Sequence, residues 1–158
     1  MNIILLTHER ELAKGTNTGN IVLDSLGERA TRITWQRTEP SATLLDLIEG
    51  QSVALLYPSD ETESDISDFE HFVILDGTWQ QSRKMINRSA YLQSMPKVSL
   101  RTTRTSNFAL RRNQVEGGLC TAECAIELLK AKREFVLGAS LEERYTEFNI
   151  RSNESKKP

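Results

Sequence analysis

Short apolar runs alternate with amphipathic stretches along the chain, and this alternation predicts strands followed by helices. Five segments are predicted as strands, with the strongest pattern in the fourth: residues 3–6, 31–35, 53–56, 72–75 and 97–100. Five segments have helical periodicity: residues 21–26, 41–49, 79–88, 121–133 and 140–148. Strands that alternate with helices indicate an α/β domain with a largely parallel sheet flanked by helices.

Capping residues and composition mark the ends of these elements. Gly27 closes the first helix, and Thr121 is the N-cap candidate of the helix that follows it, with Glu123 in the first turn. A chain of 158 residues is the length of one domain. Residues 149–158 are polar, so we expect one domain over 1–148 and a flexible tail over 149–158.

Composition excludes several protein classes. The chain is 38% hydrophobic and 27% charged, and no apolar stretch approaches the length of a membrane span, which excludes membrane, fibrous and disordered classes. The first apolar run is too short for a signal peptide, so we expect a cytoplasmic protein. Cys120 and Cys124 are spaced for neither a disulfide framework nor a zinc site. We therefore expect packing thiols and no metal.

Charge is distributed unevenly along the chain. Residues 1–76 contain 5 Lys or Arg and 14 Asp or Glu, whereas residues 77–115 contain 8 Lys or Arg and no carboxylate. The eight cations are Arg83, Lys84, Arg88, Lys97, Arg101, Arg104, Arg111 and Arg112. Such a block predicts a site for a polyanion, because phosphates attract Lys and Arg and repel carboxylates. The alternative is a solvated basic face that binds nothing.

Three loops follow predicted strands at the edge of the sheet where α/β proteins bind ligands: residues 7–9, 57–59 and 76–79. The third loop is the most unusual, because it combines a carboxylate, a glycine, a hydroxyl and an indole. In this position Asp76 is a candidate general base. Alternatively, Asp76 caps the next helix and Trp79 is a core aromatic residue.

The segment Asp76-Gly77-Thr78-Trp79 resembles the D-x-T-W signature of the DTW-domain proteins, the tRNA-uridine aminocarboxypropyltransferases. The other landmarks of that family follow in its order: Asn17-Thr18-Gly19, Leu55-Leu56-Tyr57-Pro58-Ser59, the extension over 79–85, Pro96 before a strand ending at Leu100, Arg111-Arg112, and Leu119-Cys120-Thr121-Ala122-Glu123. By themselves, residues 17–19 could form a plain turn and Glu123 could complement a helix dipole. The cysteine-rich segment that begins many members has no counterpart before Met1, so no zinc is expected.

The resemblance implies a SPOUT-like α/β fold with a C-terminal knot that holds S-adenosylmethionine. It also implies transfer of the 3-amino-3-carboxypropyl group to N3 of a uridine in tRNA, which leaves methylthioadenosine. Asp76 would then be the base, and Trp79 would stack on a nucleobase or wall the pocket. The implied cofactor-binding residues are Asn17, Thr18, Gly19, Tyr57, Pro58, Leu75, Gly77, Thr78, Leu100, Leu119, Cys120, Thr121 and Glu123. The implied RNA-binding residues are Arg83, Lys84, Arg104, Arg111 and Arg112.

Two other functions remain open from the sequence. An RNA methyltransferase can use the same fold and cofactor, since a fold does not decide which group is transferred. A non-catalytic RNA-binding module is the second alternative. The small-molecule product separates the enzymes, because the aminocarboxypropyltransferase releases methylthioadenosine and the methyltransferase releases S-adenosylhomocysteine.

Overall fold

The computed structural model describes residues 1–50, 52–57, 64–100 and 119–155. Five strands lie in these ranges: β1 (Asn2–Thr7), β2 (Ala30–Thr34), β3 (Val53–Leu56), β4 (His71–Asp76) and β5 (Lys97–Val98). The same ranges contain six α-helices: α1 (Gly19–Leu26), α2 (Ala42–Glu49), α3 (Trp79–Asn87), α4 (Ala90–Ser94), α5 (Thr121–Ala131) and α6 (Phe135–Ser155).

The five strands form one parallel sheet in the order β2-β1-β4-β3-β5. Helices pack on it, so the predicted α/β fold with a parallel sheet is confirmed. The chain between β5 and α5 passes through residues 101–118, which lie outside the described residues. The SPOUT-like arrangement and the knot therefore stay predictions.

Side chains alternate between the two faces of the sheet and build a core on each. The first core contains Ile3, Leu5, Phe72 and Ile74 of the strands together with residues of α1, α5 and α6. The second core contains Ile4, Leu6, Val73 and Leu75 together with residues of α2, α3 and α4. Because both faces are covered, β1, β3 and β4 contain continuous apolar runs at residues 3–6, 53–56 and 72–75, and these runs made them recognisable in the sequence.

Two neighbouring strands, β1 and β4, are followed by helices that lie on opposite faces of the sheet. After β1 the chain enters α1 on the first face, and after β4 it enters α3 on the second. Strands β1 and β4 are adjacent, and Thr7 pairs with Asp76 at their carboxyl ends. A parallel sheet opens a crevice at such a switch point, and ligands of α/β proteins bind there. The topology thus places the end of β4 in the favoured position for a site.

Two helix boundaries differ from the sequence-based expectation. The N-cap of α5 is Cys120 rather than Thr121, because the Glu123 carboxylate accepts the Cys120 backbone N–H at 3.0 Å and closes the first turn one residue earlier. The last helix, predicted over 140–148, extends as α6 to Ser155, and Asn149 and Ser152 are buried along it. The domain boundary at residue 148 stays a prediction and falls inside α6.

Candidate active site

A buried carboxylate lies at the crevice between β1 and β4. Asp76 is 1% exposed, and its Oδ1 accepts hydrogen bonds from Asn17 Nδ2 at 3.0 Å and Thr121 Oγ1 at 2.7 Å. Its Oδ2 accepts from Thr7 Oγ1 at 2.9 Å and Arg32 Nη2 at 3.4 Å. We call these five residues the Asp76 cluster. A carboxylate has about four acceptor positions, so this one is fully hydrogen-bonded.

Arg32 connects the rest of the cluster. Its Nε donates to Thr7 Oγ1 at 3.1 Å, and its Nη1 and Nη2 donate to Asn20 Oδ1 and Asn17 Oδ1, each at 2.9 Å. The guanidinium forms an ion pair with Asp76, and the Arg32 side chain is 19% exposed. A buried charge requires a partner and further hydrogen bonds, and Arg32 supplies both.

The sequence did not indicate Thr7, Asn20 or Arg32 as site residues. Thr7 is the last residue of β1 and belongs to the segment 7–9 that the strand-end rule indicated, but a lone threonine has no distinctive signature. Arg32 carries one weak signal, because it is a charged residue inside the strand predicted over 31–35. In the structure it is the middle residue of β2 and shares a face of the sheet with the buried Ala30. The partner of Arg32 could not be known without the order of the strands.

The start of α1 fits tightly against the cluster. A Cβ atom at Gly19 would lie 2.7 Å from Asn17 Oδ1, 2.9 Å from Asp76 Oδ2 and 3.0 Å from Arg32 Nη2. Only glycine leaves these polar atoms in place. Thr18 Oγ1 accepts the Ala122 backbone N–H at 3.1 Å, which joins the beginnings of α1 and α5. Residues 17–19 therefore do more than turn the chain.

A second set of buried groups supports the beginning of α5. Glu123 is completely buried, and besides the Cys120 N–H it faces the Tyr145 hydroxyl from α6. Burial, with a further contribution from the Glu123 charge, raises the pKa of the Cys120 thiol to about 11. Burial together with the neighbouring Cys120 and Glu123 also raises the pKa of Tyr145. Both groups are therefore protonated at neutral pH, so they do not add charge beside Glu123.

The second half of the D-G-T-W segment turns towards the other face. Thr78 is the N-cap of α3, where its hydroxyl and the Gln81 side chain form a capping box. Asp76 is therefore not the cap of this helix, and that alternative is wrong. The half-buried Trp79 ring lies parallel to the Tyr57 ring, with 6.1 Å between centroids and 10° between planes. Trp79 is also absent from both cores, so it is not a core aromatic residue.

The remaining expected site residues occupy varied positions. Leu75 is in the second core, and the half-buried Leu100 packs against the first. The Leu119 carbonyl accepts a weak hydrogen bond from Cys124 Sγ at 3.9 Å. Gly77 lies beside the Gln81 side chain. Exposed cations on α3 include Arg83 and Lys84. Four expected residues lie outside the described ranges: Pro58, Arg104, Arg111 and Arg112.

The described ranges contain neither a metal-binding cluster nor a membrane-spanning helix. Within residues 1–50, 52–57, 64–100 and 119–155, no group of three or more His, Cys, Asp or Glu side chains is arranged to hold a metal ion. Among the helices of those ranges, none is both long enough and apolar enough to cross a bilayer.

Comparison with known proteins agrees with the resemblance seen in the motifs. The DTW domain matches residues 1–151, which include the whole Asp76 cluster. The chain belongs to the DTW-domain family. A curated relative of this DTW domain, tRNA-uridine aminocarboxypropyltransferase 2 of Drosophila melanogaster, is 29% identical over 94 residues. That alignment covers 56% of this chain and 37% of the relative, so the chain spans little more than a third of that protein. No solved structure matches.

Proposed function

We propose that this DTW domain transfers the 3-amino-3-carboxypropyl group of S-adenosylmethionine to N3 of a uridine in tRNA, which leaves 5'-methylthioadenosine. The observation that carries the proposal is the meeting of three distant motif segments, 17–19, 76–79 and 119–123, around one carboxylate at the switch point of the sheet. The printed name of the fruit-fly relative supports the reaction and the class of RNA.

The residues at the crevice suit the chemistry of the donor. The amino-acid portion of S-adenosylmethionine carries a carboxylate, and the crevice offers it the positive charge of Arg32 and the beginnings of α1 and α5, where backbone N–H groups favour anions. Apolar or aromatic residues suit its adenine ring. The proposed contacts come from Asn17, Thr18, Gly19, Tyr57, Pro58, Leu75, Gly77, Thr78, Leu100, Leu119, Cys120, Thr121 and Glu123.

The sulfonium of the donor makes its neighbouring carbons electrophilic. The protein must therefore align the correct carbon and take up the proton of a weakly acidic imide. We assign Asp76 as the group on which that proton ends. The hydrogen bonds of the cluster hold the Asp76 carboxylate in one orientation. Trp79, parallel to Tyr57, is assigned to stack on the nucleobase.

Two of the five proposed tRNA contacts belong to the described residues. Arg83 and Lys84 are exposed on α3, the helix that begins at Trp79. Together with Arg104, Arg111 and Arg112 they supply cations for backbone phosphates around a uridine displaced from its stack. We expect this reaction to take place in the cytoplasm.

The test is a product analysis. The protein is incubated with S-adenosylmethionine and unfractionated tRNA, and the nucleosides and small molecules are identified by mass spectrometry. Aminocarboxypropyl-uridine together with methylthioadenosine is the expected result. A methylated nucleoside with S-adenosylhomocysteine would replace the proposal by a methyltransferase, and tRNA binding without either product would indicate a binding module. Asp76→Asn removes the proposed proton acceptor and should form aminocarboxypropyl-uridine at least ~10²-fold more slowly. Asp46→Asn, an exposed change on α2, is its control.

A further inference from the structure

The geometry of Asp76 raises a question about how a proton reaches it. The carboxylate is 1% exposed, and all four of its acceptor positions face donors of the cluster. A uridine N3–H could bond to it directly only if one of those donors moved away. A donor that can pass its own proton to Asp76 and accept another needs no such movement.

Three of the four donors are unsuited to that task. The Asn17 amide and the Arg32 guanidinium do not release protons near neutral pH. The Thr7 hydroxyl already accepts from Arg32 Nε at 3.1 Å, and Thr7 is 0% exposed. Thr7 therefore has no route to substrate, and one of the two lone pairs of its hydroxyl oxygen is already used.

Thr121 has the properties that the other donors lack. Its hydroxyl makes the shortest bond of the cluster, 2.7 Å to Asp76 Oδ1, and in the described part of the chain this is its one hydrogen bond. Among the described residues no donor reaches either lone pair of Oγ1, so this hydroxyl can accept a hydrogen bond from the substrate. Thr121 is 8% exposed, against 1% for Asp76, and it begins α5 at the carboxyl edge of the sheet.

We propose that Thr121 relays the uridine N3 proton to Asp76; this rests on the proposed function. The N3 proton moves to Thr121 Oγ1 while the proton of Oγ1 moves to Asp76 Oδ1. The electron pair left on N3 forms a bond to the γ-carbon of the aminocarboxypropyl group, and the bond from that carbon to sulfur breaks with its electrons on sulfur. The negative carboxylate, neutral uridine and positive sulfonium become three neutral groups, and Thr121 ends unchanged.

The surroundings of Thr121 suit a relay that must not move. The capping box of Cys120 and Glu123 fixes the first turn of α5, in which Thr121 lies, and the Ala122 N–H is bonded to Thr18 Oγ1 at 3.1 Å. Proton transfer through a hydroxyl requires donor and acceptor to be aligned before the reaction. A helix start that is held from both sides provides this alignment.

Two substitutions separate the relay from a role in packing. Thr121→Val keeps the shape and removes the hydroxyl, whereas Thr121→Ser keeps the hydroxyl. In single-turnover assays with unfractionated tRNA, we expect Thr121→Val to form aminocarboxypropyl-uridine at least ~10²-fold more slowly, and Thr121→Ser to stay within about tenfold of wild type. The contact proposed between Thr121 and S-adenosylmethionine is through its backbone at the start of α5, so the affinity for S-adenosylmethionine, measured by calorimetry, should change by no more than a few-fold in either variant.

A double-mutant cycle tests whether Thr121 acts through Asp76. If it does, Asp76→Asn combined with Thr121→Val is no slower than the slower single variant. If the rate loss of the double variant equals the product of the two single losses, the relay is overturned. A Thr121→Val rate within threefold of wild type, while Asp76→Asn is slow, would also overturn it. If wild type makes no aminocarboxypropyl-uridine, the proposed function fails and the relay with it.

The relay can also be tested on the wild-type protein, so this test does not depend on whether a variant folds. The single-turnover rate is followed in mixtures of H₂O and D₂O. If two protons move together in the reaction, a plot of the rate against the deuterium fraction of the solvent is curved. If one proton moves, the plot is a straight line. A straight line would overturn the relay.

Discussion

Replacement of Asp76 by Asn tests whether its carboxylate holds the crevice together. Asn has one acceptor oxygen and one NH₂ group in place of two acceptor oxygens. In one orientation the NH₂ group faces Arg32 Nη2, and in the other it faces Asn17 Nδ2. Hydroxyls can rotate to accept, but these nitrogens cannot, so each orientation places two donors against each other.

The expected cost follows from the lost charge. Removal of one partner of a buried ion pair costs about 3–5 kcal/mol, and a hydrogen bond to a charged group contributes about 1.5–3 kcal/mol. The Arg32 side chain is 19% exposed, so water recovers part of its solvation. We expect Asp76→Asn to lower the free energy of unfolding by about 2–3 kcal/mol. For a domain of this length that corresponds to a fall in Tm of about 4–12 °C.

Urea unfolding followed by circular dichroism measures the change, with an unchanged m value as the sign that the same structure unfolds. Asp46→Asn is the matched control and should stay within about 0.5 kcal/mol of wild type, since Asp46 is exposed on α2. Adding Arg32→Met to Asp76→Asn removes the unpaired cation and should restore part of the loss. An Asp76→Asn variant as stable as the control would refute the reasoning.

Three more outcomes are expected. Gly19→Ala lowers the free energy of unfolding by about 1–3 kcal/mol, because its Cβ would lie 2.7 Å from a buried amide oxygen; urea unfolding measures this. Arg83→Ala with Lys84→Ala makes log Kd for tRNA less dependent on log salt, by up to about one unit of slope per lost phosphate contact; titrations at several salt concentrations measure this. Cys120 resists iodoacetamide at about pH 8 in the native protein and reacts in urea, because burial raises the pKa of its thiol to about 11; peptide mass spectrometry locates the label.

Each of these outcomes has its own control. Gly15→Ala introduces a Cβ with no atom within 4 Å, so an equal loss there would show that the crowding at Gly19 is irrelevant. Lys130→Ala with Arg144→Ala removes two exposed cations from α5 and α6. If this pair changes the salt slope of tRNA binding as much, the cations of α3 are not the specific contacts of tRNA. Ready alkylation of native Cys120 would contradict its burial.

Much of the fold was predictable because its signals are local. Strand β4 combines β-branched and apolar residues without interruption, and α2 begins at the capping residue Ser41, whose side chain accepts the Leu44 N–H. Gly27 ends α1 with a φ of +56°, a conformation that glycine adopts without strain. Each of these features depends on residues within one turn or one strand. The short helix α4, at Ala90–Ser94, lacks such signals and was not predicted.

The candidate site was predictable only in part. The D-G-T-W segment is unusual enough to indicate Asp76 directly. The function of residues 17–19 and Thr121 came from the family resemblance, since a turn and a helix start have ordinary structural explanations. One of the alternatives made Asp76 the cap of α3, and only the hydrogen bonds of Thr78 at the start of that helix decided against it.

By itself, the sequence determined which segments are strands and helices and where an unusual carboxylate follows a strand. The tertiary structure decided what surrounds that carboxylate. Thr7 and Arg32 are separated from Asp76 by 69 and 44 residues, and they meet it because the strand order places β1 beside β4 and β2 beside β1. Periodicity reports the face on which a residue lies, but not the neighbour of its strand. That neighbour depends on how the connecting helices cross the sheet to bury both of its faces, which is a property of the whole chain.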